Sequence, residues 1–548
     1  MIPVKLRLWL LAFASGVLMS LPFLVPACGW VALFGFVPLL KMEALAAETG
    51  QRHLWLRTYS CFLVWNALTT FWVCNATFAG GVFAIVANSA WMLLVFALFR
   101  LSRKAFKGVV PYIFLVLTWI AWERFYLTWS QISWPWLVLG NAFARTLPLA
   151  QWYEYTGHLG GSLWVWLCNL TLFGMLQSFS SGRWKSFNPK AKTAALGVSL
   201  LVFIFPATVS LVIYSTYNEV EDPLEVMVVQ PNFEPFQKRT AFTRQQQDEV
   251  LLDAIMLTLK DRSGDMEASP ILIVAPETFT NNVVINDVDA NESVLKYSRC
   301  IRAYPNANLL VGASSRTYYF DKERPDYTAR HLRDGSWVDS HNSALMIDGW
   351  SPTQVFHKSK LVVGTELTPY PALFCKIDDW LGGVMGRCVG QDEVSTLEAH
   401  EYTPEGKLCR SIPIGSVICY ESVYGEYCTE YIKKGAKALA VITNDAWWGN
   451  TPGYRQHCSY ASLRAIETRR DVVRCGNTGI SGIIDQRGRL TERTNWWEPA
   501  ILRSHINLND RETFFVRNGD FIGRFSFFLF LLMLLGLIVR LISPLARK

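Results

Sequence analysis

A thiol, a carboxylate and an ammonium stand at three separated points of this 548-residue chain, each near a short apolar run. Cys419 ends the run in Ser-Val-Ile-Cys-Tyr-Glu, Glu277 follows Ile-Val-Ala-Pro, and Lys358 sits in Phe-His-Lys-Ser-Lys-Leu. A thiolate attacks an acyl carbonyl, so Cys419 needs a proton acceptor or a lowered pKa. Glu277 can take that proton and return it to a leaving group. Lys358 can stabilise both the thiolate and the tetrahedral oxyanion. Together the three point to acyl chemistry at a carbon–nitrogen bond. Singly, each has a plainer reading: a buried inert thiol, a loop carboxylate or helix cap, a surface cation.

The elements that must position these residues lie between about 222 and 510. Strands are expected at 225–230, 271–275, 309–313, 344–347, 415–419, 438–443 and 480–485, several of them wholly apolar, as when both faces of a sheet are covered. Helices are expected at 244–260, 424–434 and 460–471. The alternation predicts a layered α/β domain. Glu277, Cys419 and the pair Asn444-Asp445 fall at or just past strand ends, where ligand sites of α/β sheets gather. Arg464, Glu467 and Arg470 share helical spacing and read as structural pairs.

The rest of the chain is far more apolar: 51% of all residues are hydrophobic and 14% aromatic. Apolar stretches occupy 8–40, 58–73, 80–99, 109–122, 160–179, 194–214 and 525–539. The first is too long for one helix across a hydrocarbon core of about 30 Å. Pro22, Pro26 and Gly29 interrupt it, which predicts a hairpin and eight spans in all. Basic residues cluster in alternate connections: Lys5 and Arg7; Lys41, Arg52 and Arg57; Arg100, Arg103, Lys104 and Lys107; Arg183, Lys185, Lys190 and Lys192; Arg540, Arg547 and Lys548. Eight spans put all five groups on one side, which the positive-inside rule makes cytoplasmic. The large domain is then extracytoplasmic, and the basic, apolar N-terminus is expected to remain as a span.

Those segments hold 16 basic residues and only Glu43 and Glu48, or +14, against +7 for the whole chain. The remainder is thus about −7, and the basic balance reflects topology rather than a nucleic-acid footprint. Eight of the 12 cysteines fall in the external domain, where Cys375/Cys388 or Cys409/Cys428 could pair. No Cys-x-x-Cys pair suggests a metal site. The connection 123–159 carries Phe125, Tyr126, Trp129, Trp134, Trp136, Trp152 and Tyr153, which reads as an interfacial aromatic belt or as a wall for acyl chains.

Flanking residues sharpen the picture. Pro276-Glu277, Lys358 with Leu361, and Cys419-Tyr420-Glu421 resemble the Glu-Lys-Cys pattern of the nitrilase superfamily. With the membrane part, the chain is similar to the apolipoprotein N-acyltransferases. Val-Val-Gln-Pro-Asn (228–232), Ala-Pro-Glu-Thr (275–278), Lys-x-x-Leu-Val (358–362), Ile-Cys-Tyr-Glu (418–421), Thr-Asn-Asp-Ala-Trp-Trp-Gly (443–449), Arg-Ala-Ile-Glu-Thr-x-Arg (464–470) and Asn-Thr-Gly-Ile-Ser (477–481) follow in that family's order. Pro135-Trp136-Leu137 with Leu139-Gly140 adds a match in the membrane part. The chain departs at Val363-Gly364-Thr365, where the family has Pro-Phe-Gly, and at Ser462, where Arg is common.

The resemblance implies a helical membrane domain (1–220, seven spans), a nitrilase-like α/β/β/α domain (221–510) facing the periplasm, and a last span with a cytoplasmic tail (511–548). It implies Glu277 as base, Lys358 as oxyanion stabiliser and Cys419 as nucleophile, with Glu366 and Glu421 as supporting carboxylates. Tyr420, Asn444 and Trp447 are expected near substrate. The implied reaction moves an acyl chain from a phospholipid, expected to be phosphatidylethanolamine, through a Cys419 thioester to the amino group of a diacylglyceryl-cysteine. A monomer in the bacterial inner membrane, without cofactor or metal, is expected. A tethered amidase or lipid hydrolase would pass the thioester to water instead. A degenerate binding module would have no need for all three residues.

Overall fold

The computed structural model describes residues 3–51, 53–234, 243–265, 267–320, 323–380 and 385–542. Arg52, Arg547 and Lys548 of the basic clusters lie outside them. The chain forms two compact units, one of Met1–Tyr217, Thr451–Ser459 and Asn518–Lys548, the other of Asn218–Asn450 and Tyr460–Arg517.

The first unit is helical. Among the described residues six helices are long and apolar enough to cross a membrane: Val4–Leu24, Gly29–Glu48, Phe78–Ala105, Tyr153–Ser180, Pro189–Thr216 and Phe521–Ile542. Helices also form at the other two expected segments, but Leu54–Thr70 has 17 residues and Val110–Thr128 carries Glu123 and Arg124. The hairpin expected in 8–40 is present. The first helix ends at Leu24, and a 3-10 turn, Gly29–Leu33, follows. Backbone groups freed at this break need partners in an apolar setting. Asn169 supplies two, accepting from Phe36 N at 2.7 Å and donating to Ala32 O at 2.8 Å. Only 6% of the apolar window of Pro189–Thr216 is buried within the protein. A helix apolar all round and so exposed is built for lipid rather than water.

The aromatic connection divides. Trp129 stays 54% exposed, as a belt residue would be, whereas Trp136 and Tyr153 are fully buried. Trp136 stacks on Trp134, meets Trp72 edge-on, and donates to Gln456 Oε1 at 2.7 Å. Gln456 Nε2 donates onward to Phe23 O and Thr69 O, tying two helix ends together. Trp136 is a core residue of the helical unit, neither belt nor wall.

The second unit is built from β1 (Pro223–Gln230), β2 (Ile271–Val274), β3 (Thr280–Val284), β4 (Ala307–Tyr319), β5 (Arg330–His331), β6 (Trp337–Ile347), β7 (Gln354–His357), β8 (Leu397–Tyr402), β9 (Leu408–Ile418), β10 (Ala438–Thr443), β11 (Val472–Gly476), β12 (Gly482–Ile484), β13 (Leu490–Arg493) and β14 (Ala500–Asn507). One sheet runs β14-β1-β2-β4-β6-β5, with β3 on β4 and β7 on β6; the other runs β13-β12-β11-β10-β9-β8. Alternate residues of a strand face opposite ways, and the cores follow that rule. Met227, Val229, Ile273, Leu309, Val311 and Leu345 pack against Leu251 and Ile255 of helix Arg244–Thr258 and Tyr297 of helix Glu292–Ile301. Their neighbours Val226, Val228, Leu272, Leu310 and Ala344 share a core with the second sheet. That sheet is covered in turn by Tyr431 and Ile432 of helix Gly425–Lys433 and by Ala461 and Ala465 of helix Pro452–Thr468. The layering is helix, sheet, sheet, helix. All twelve cysteines are free thiols, so neither Cys375/Cys388 nor Cys409/Cys428 is bridged.

Candidate active site

Four strand ends deliver the site. Past β2 the ladder continues for two more residues, Ala275 N donating to Leu310 O and Gly312 N to Pro276 O at 3.2 Å. This carries Glu277 across the face of β4. A Cβ on Gly312 would stand 2.5 Å from Glu277 Cα, so only glycine permits the approach. Lys358 follows β7 and stays paired to β6, its N donating to Asn342 O at 2.8 Å. Cys419 follows β9 with φ of 51°, a left-handed conformation costing a side-chain-bearing residue about 1–3 kcal/mol. Arg464 holds the turn behind it, Nη1 donating to Ser422 O and Val423 O, while pairing with Glu467 at 2.8 Å. Arg470 donates to Ala436 O and Arg511 O. The pattern Arg464-Glu467-Arg470 is therefore structural, as its spacing indicates.

Lys358 is buried between two carboxylates, with Nζ 2.9 Å from Glu277 Oε1 and 3.0 Å from Glu366 Oε1. Asn342 Nδ2 donates to the same two oxygens, each at 2.7 Å. Two donors and two acceptors thus close a ring. Burial disfavours the ammonium, but Glu277, Glu366 and the Cys419 sulfur outweigh it and hold its pKa well above the usual lysine range. Glu277 Oε2 accepts from Asn444 N at 3.2 Å. With Oε1 occupied twice, the open lone pair of this carboxylate is on Oε2. Burial raises the Cys419 thiol well above its ordinary range. Glu277 and Asp445 push the same way, while Lys358 and a hydrogen bond from Thr443 oppose them. The resting pair is therefore ammonium and neutral thiol, and attack requires the thiol proton to leave with a base. Among the described residues, no group of three or more His, Cys, Asp or Glu is arranged to hold a metal ion.

The supporting carboxylates take distinct places. Glu366 Oε2 accepts from Val362 N at 2.8 Å, closing a tight turn in which Glu366 N and Leu367 N donate back to Val362 O. Gly364 provides the positive φ of 85° this turn requires. The altered Val363-Gly364-Thr365 segment thus still aims the carboxylate at Lys358. Glu421 does not bond the Lys358 ammonium. It clamps backbone on both sides of the site, Oε1 accepting from Ser359 N at 2.7 Å and Oε2 from Ile418 N at 2.8 Å. The Tyr427 hydroxyl donates to Oε1 as well, and the Tyr431 hydroxyl, whose proton goes to Ser416 O at 2.8 Å, lies 3.2 Å from Oε2. Of the expected substrate-binding residues, Asn444 orients Glu277 through its own N–H, and its Oδ1 accepts from Asn477 Nδ2 at 3.2 Å. Tyr420 is buried, edge-on to Tyr424, and Trp447 is 39% exposed. Asn342 escapes a reading of the sequence, because nothing local in His-Asn-Ser marks it and only the pairing of β6 with β7 places it against Lys358.

Comparison with known proteins accounts for both halves of the chain. Residues 15–171 match the model of the apolipoprotein N-acyltransferase N-terminal domain, and residues 327–514 match that of the carbon-nitrogen hydrolases. The second range contains Lys358, Glu366, Cys419 and Glu421. An apolipoprotein N-acyltransferase from Chlorobaculum tepidum is 26% identical over 533 residues, covering 93% of each chain. One from Geobacter metallireducens is 26% identical, covering 94% of this chain and 92% of the relative. Among solved structures, Saccharomyces cerevisiae Nit3, a member of branch 10 of the nitrilase superfamily, is 14% identical. It aligns with a TM-score of 0.36 over 53% of this chain and 91% of its own. Relatives of that one description match the chain nearly end to end and the two domain models match in order, so the chain is similar to the apolipoprotein N-acyltransferases over most of its length.

Proposed function

We propose that the protein N-acylates lipoproteins in two half-reactions at Cys419. In the first, Glu277 Oε2 takes the thiol proton as sulfur attacks an ester carbonyl of a phospholipid, phosphatidylethanolamine on the present reading. Lys358 stabilises the oxyanion. Collapse breaks the ester C–O bond, Glu277 protonates the departing alkoxide, and a lysophospholipid leaves a thioester on Cys419. In the second, the α-amino group of a diacylglyceryl-cysteine attacks the thioester. Glu277 accepts a proton from nitrogen and returns it to sulfur, giving the amide and free thiol.

The observation that carries this reading is the buried ammonium held between Glu277 and Glu366 near a neutral strand-end thiol. It supplies base, electrophile and nucleophile without a cofactor. Its lipid substrates follow from the company the site keeps: donor and acceptor both reside in a bilayer, and the other unit offers apolar helices to one. Eight crossings with both termini cytoplasmic would bring the five basic clusters to one side and leave the α/β domain periplasmic. Protein reconstituted with a phospholipid carrying an isotope-labelled acyl chain and a diacylated lipopeptide tests the proposal. The label is expected in an N-terminal amide of the lipopeptide; label appearing only as free fatty acid would refute transfer.

A further inference from the structure

Thr443 closes β10, and the parallel register that sets Ile442 beside Ile418 carries it alongside Cys419. That placement makes Thr443 one of the groups favouring the Cys419 thiolate, and its hydroxyl lies 2.9 Å from Asp445 Oδ1, to which it donates. Asp445 Oδ2 pairs with Arg474 Nη2 at 2.6 Å. Thr443, Asp445 and Arg474 are wholly buried. The acyl transfer described above uses none of the three.

A hydroxyl has one proton and two acceptor lone pairs. With the proton directed at Asp445, Thr443 faces the sulfur as an acceptor and suits an S–H. A thiolate has no proton to give, so the contact survives ionisation only if the hydroxyl turns and donates to sulfur. That rotation withdraws the Thr443 proton from Oδ1, while Arg474 still neutralises the carboxylate at Oδ2. Without the turn, the thiolate would face lone pairs with the Asp445 charge behind them.

We propose that Thr443 is a catalytic residue of the transfer, a two-position donor that accepts from the resting thiol and donates to sulfur whenever sulfur is anionic. This rests on Cys419 as the nucleophile. No bond forms or breaks at Thr443; the thiol proton still goes to Glu277, and the hydroxyl only rotates. Sulfur is anionic twice, in attack and again as the thioester's leaving group, so Thr443 serves both half-reactions. Lys358 acts on the carbonyl oxygen while Thr443 acts on sulfur.

The test uses the full-length protein in detergent and compares Thr443→Val, near in shape but without the hydroxyl, with Thr443→Ser, which keeps it. The rate of iodoacetamide alkylation is followed at the Cys419 peptide by mass spectrometry across pH. A hydrogen bond to a charged group corresponds to about 10- to 100-fold in rate. Thr443→Val is expected to alkylate slower by that factor at pH 7, with its profile displaced to higher pH, and Thr443→Ser to stay close to wild type. Should Thr443→Val lower the thermal midpoint, Thr443→Ala against Thr443→Ser gives the same comparison. Equal alkylation with and without the hydroxyl overturns the proposal, as does a Ser variant as slow as the hydroxyl-free ones. Acylation that persists in Cys419→Ala would instead overturn the assignment of the nucleophile.

Discussion

Glu421→Gln should slow acyl-enzyme formation about a hundredfold while leaving the fold in place. The carboxylate is wholly buried and joins two segments, taking Ser359 N–H, next to Lys358, on Oε1 and Ile418 N–H, next to Cys419, on Oε2. Burial raises its pKa, against the hydrogen bonds from Ile418, Tyr427 and Ser359 that favour the charge. An amide keeps one acceptor oxygen, which best replaces Oε1, where Tyr427 also donates at 2.8 Å. The new NH2 then meets Tyr431, whose hydroxyl can accept it while still donating to Ser416 O at 2.8 Å. Ile418 N–H is left facing a donor. One stranded buried N–H costs about 1–3 kcal/mol, and loss of charge assistance adds about 1. The Cys419 segment escapes much of that cost by drifting, and a displacement near 1 Å costs about 10² in rate. Single-turnover acylation at saturating phospholipid should thus fall while KM changes little. Glu421→Asp, one methylene too short to span both segments, should fall further. A folded Glu421→Gln variant that acylates at the wild-type rate would refute the clamp.

Lys358→Met should abolish acyl-enzyme formation and cost about 3–5 kcal/mol by leaving Glu277 and Glu366 facing each other. The thermal midpoint of the variant, followed by circular dichroism, should fall accordingly, and an unchanged midpoint would contradict the paired site. Gly312→Ala forces a Cβ to within 2.5 Å of Glu277 Cα and Pro276 O. It should cost about 1–3 kcal/mol in thermal stability and lower the acylation rate with it. His357, stacked 4.1 Å from His341 and bonded to Ser343 Oγ, is pushed down from 6.5 to about 4 by burial and then by His341. The fold therefore favours neutral imidazole: nothing is lost above pH 6.5, and at most about 3 kcal/mol is lost as pH falls from there to 4. His357→Asn should lessen the acid fall in thermal midpoint, and an unchanged profile would contradict that assignment.

The site was legible where chemistry coincides with a strand end. Glu277, Cys419 and Asn444 each follow a run whose apolar character announces a covered strand, and β2 and β10 appear where those runs stand. What was not legible depends on residues meeting from afar. Glu421 is expected only as a supporting carboxylate, because its contacts to Ser359 and Ile418 depend on two loops converging. Asn342, and the bonds that join Thr443 to Asp445 and Asp445 to Arg474, are invisible for the same reason. Edge strands were missed because their exposed faces carry polar residues, as in Leu-Glu-Ala-His-Glu-Tyr of β8, where burial alternates. The expected helix 460–471 in fact begins at Pro452. Its first residues belong with the helical unit, where Gln456 holds Trp136, and no local periodicity marks that change of company.

The central claim is that Cys419 carries the acyl chain. Intact-mass and peptide mass spectrometry of the purified protein after incubation with a single-species phospholipid tests it most directly. The account predicts one added acyl mass on the Cys419 peptide, labile to hydroxylamine and absent in Cys419→Ala. It also predicts discharge of the adduct when a diacylated lipopeptide is supplied. An unmodified Cys419 in a preparation that nonetheless N-acylates the lipopeptide would contradict it.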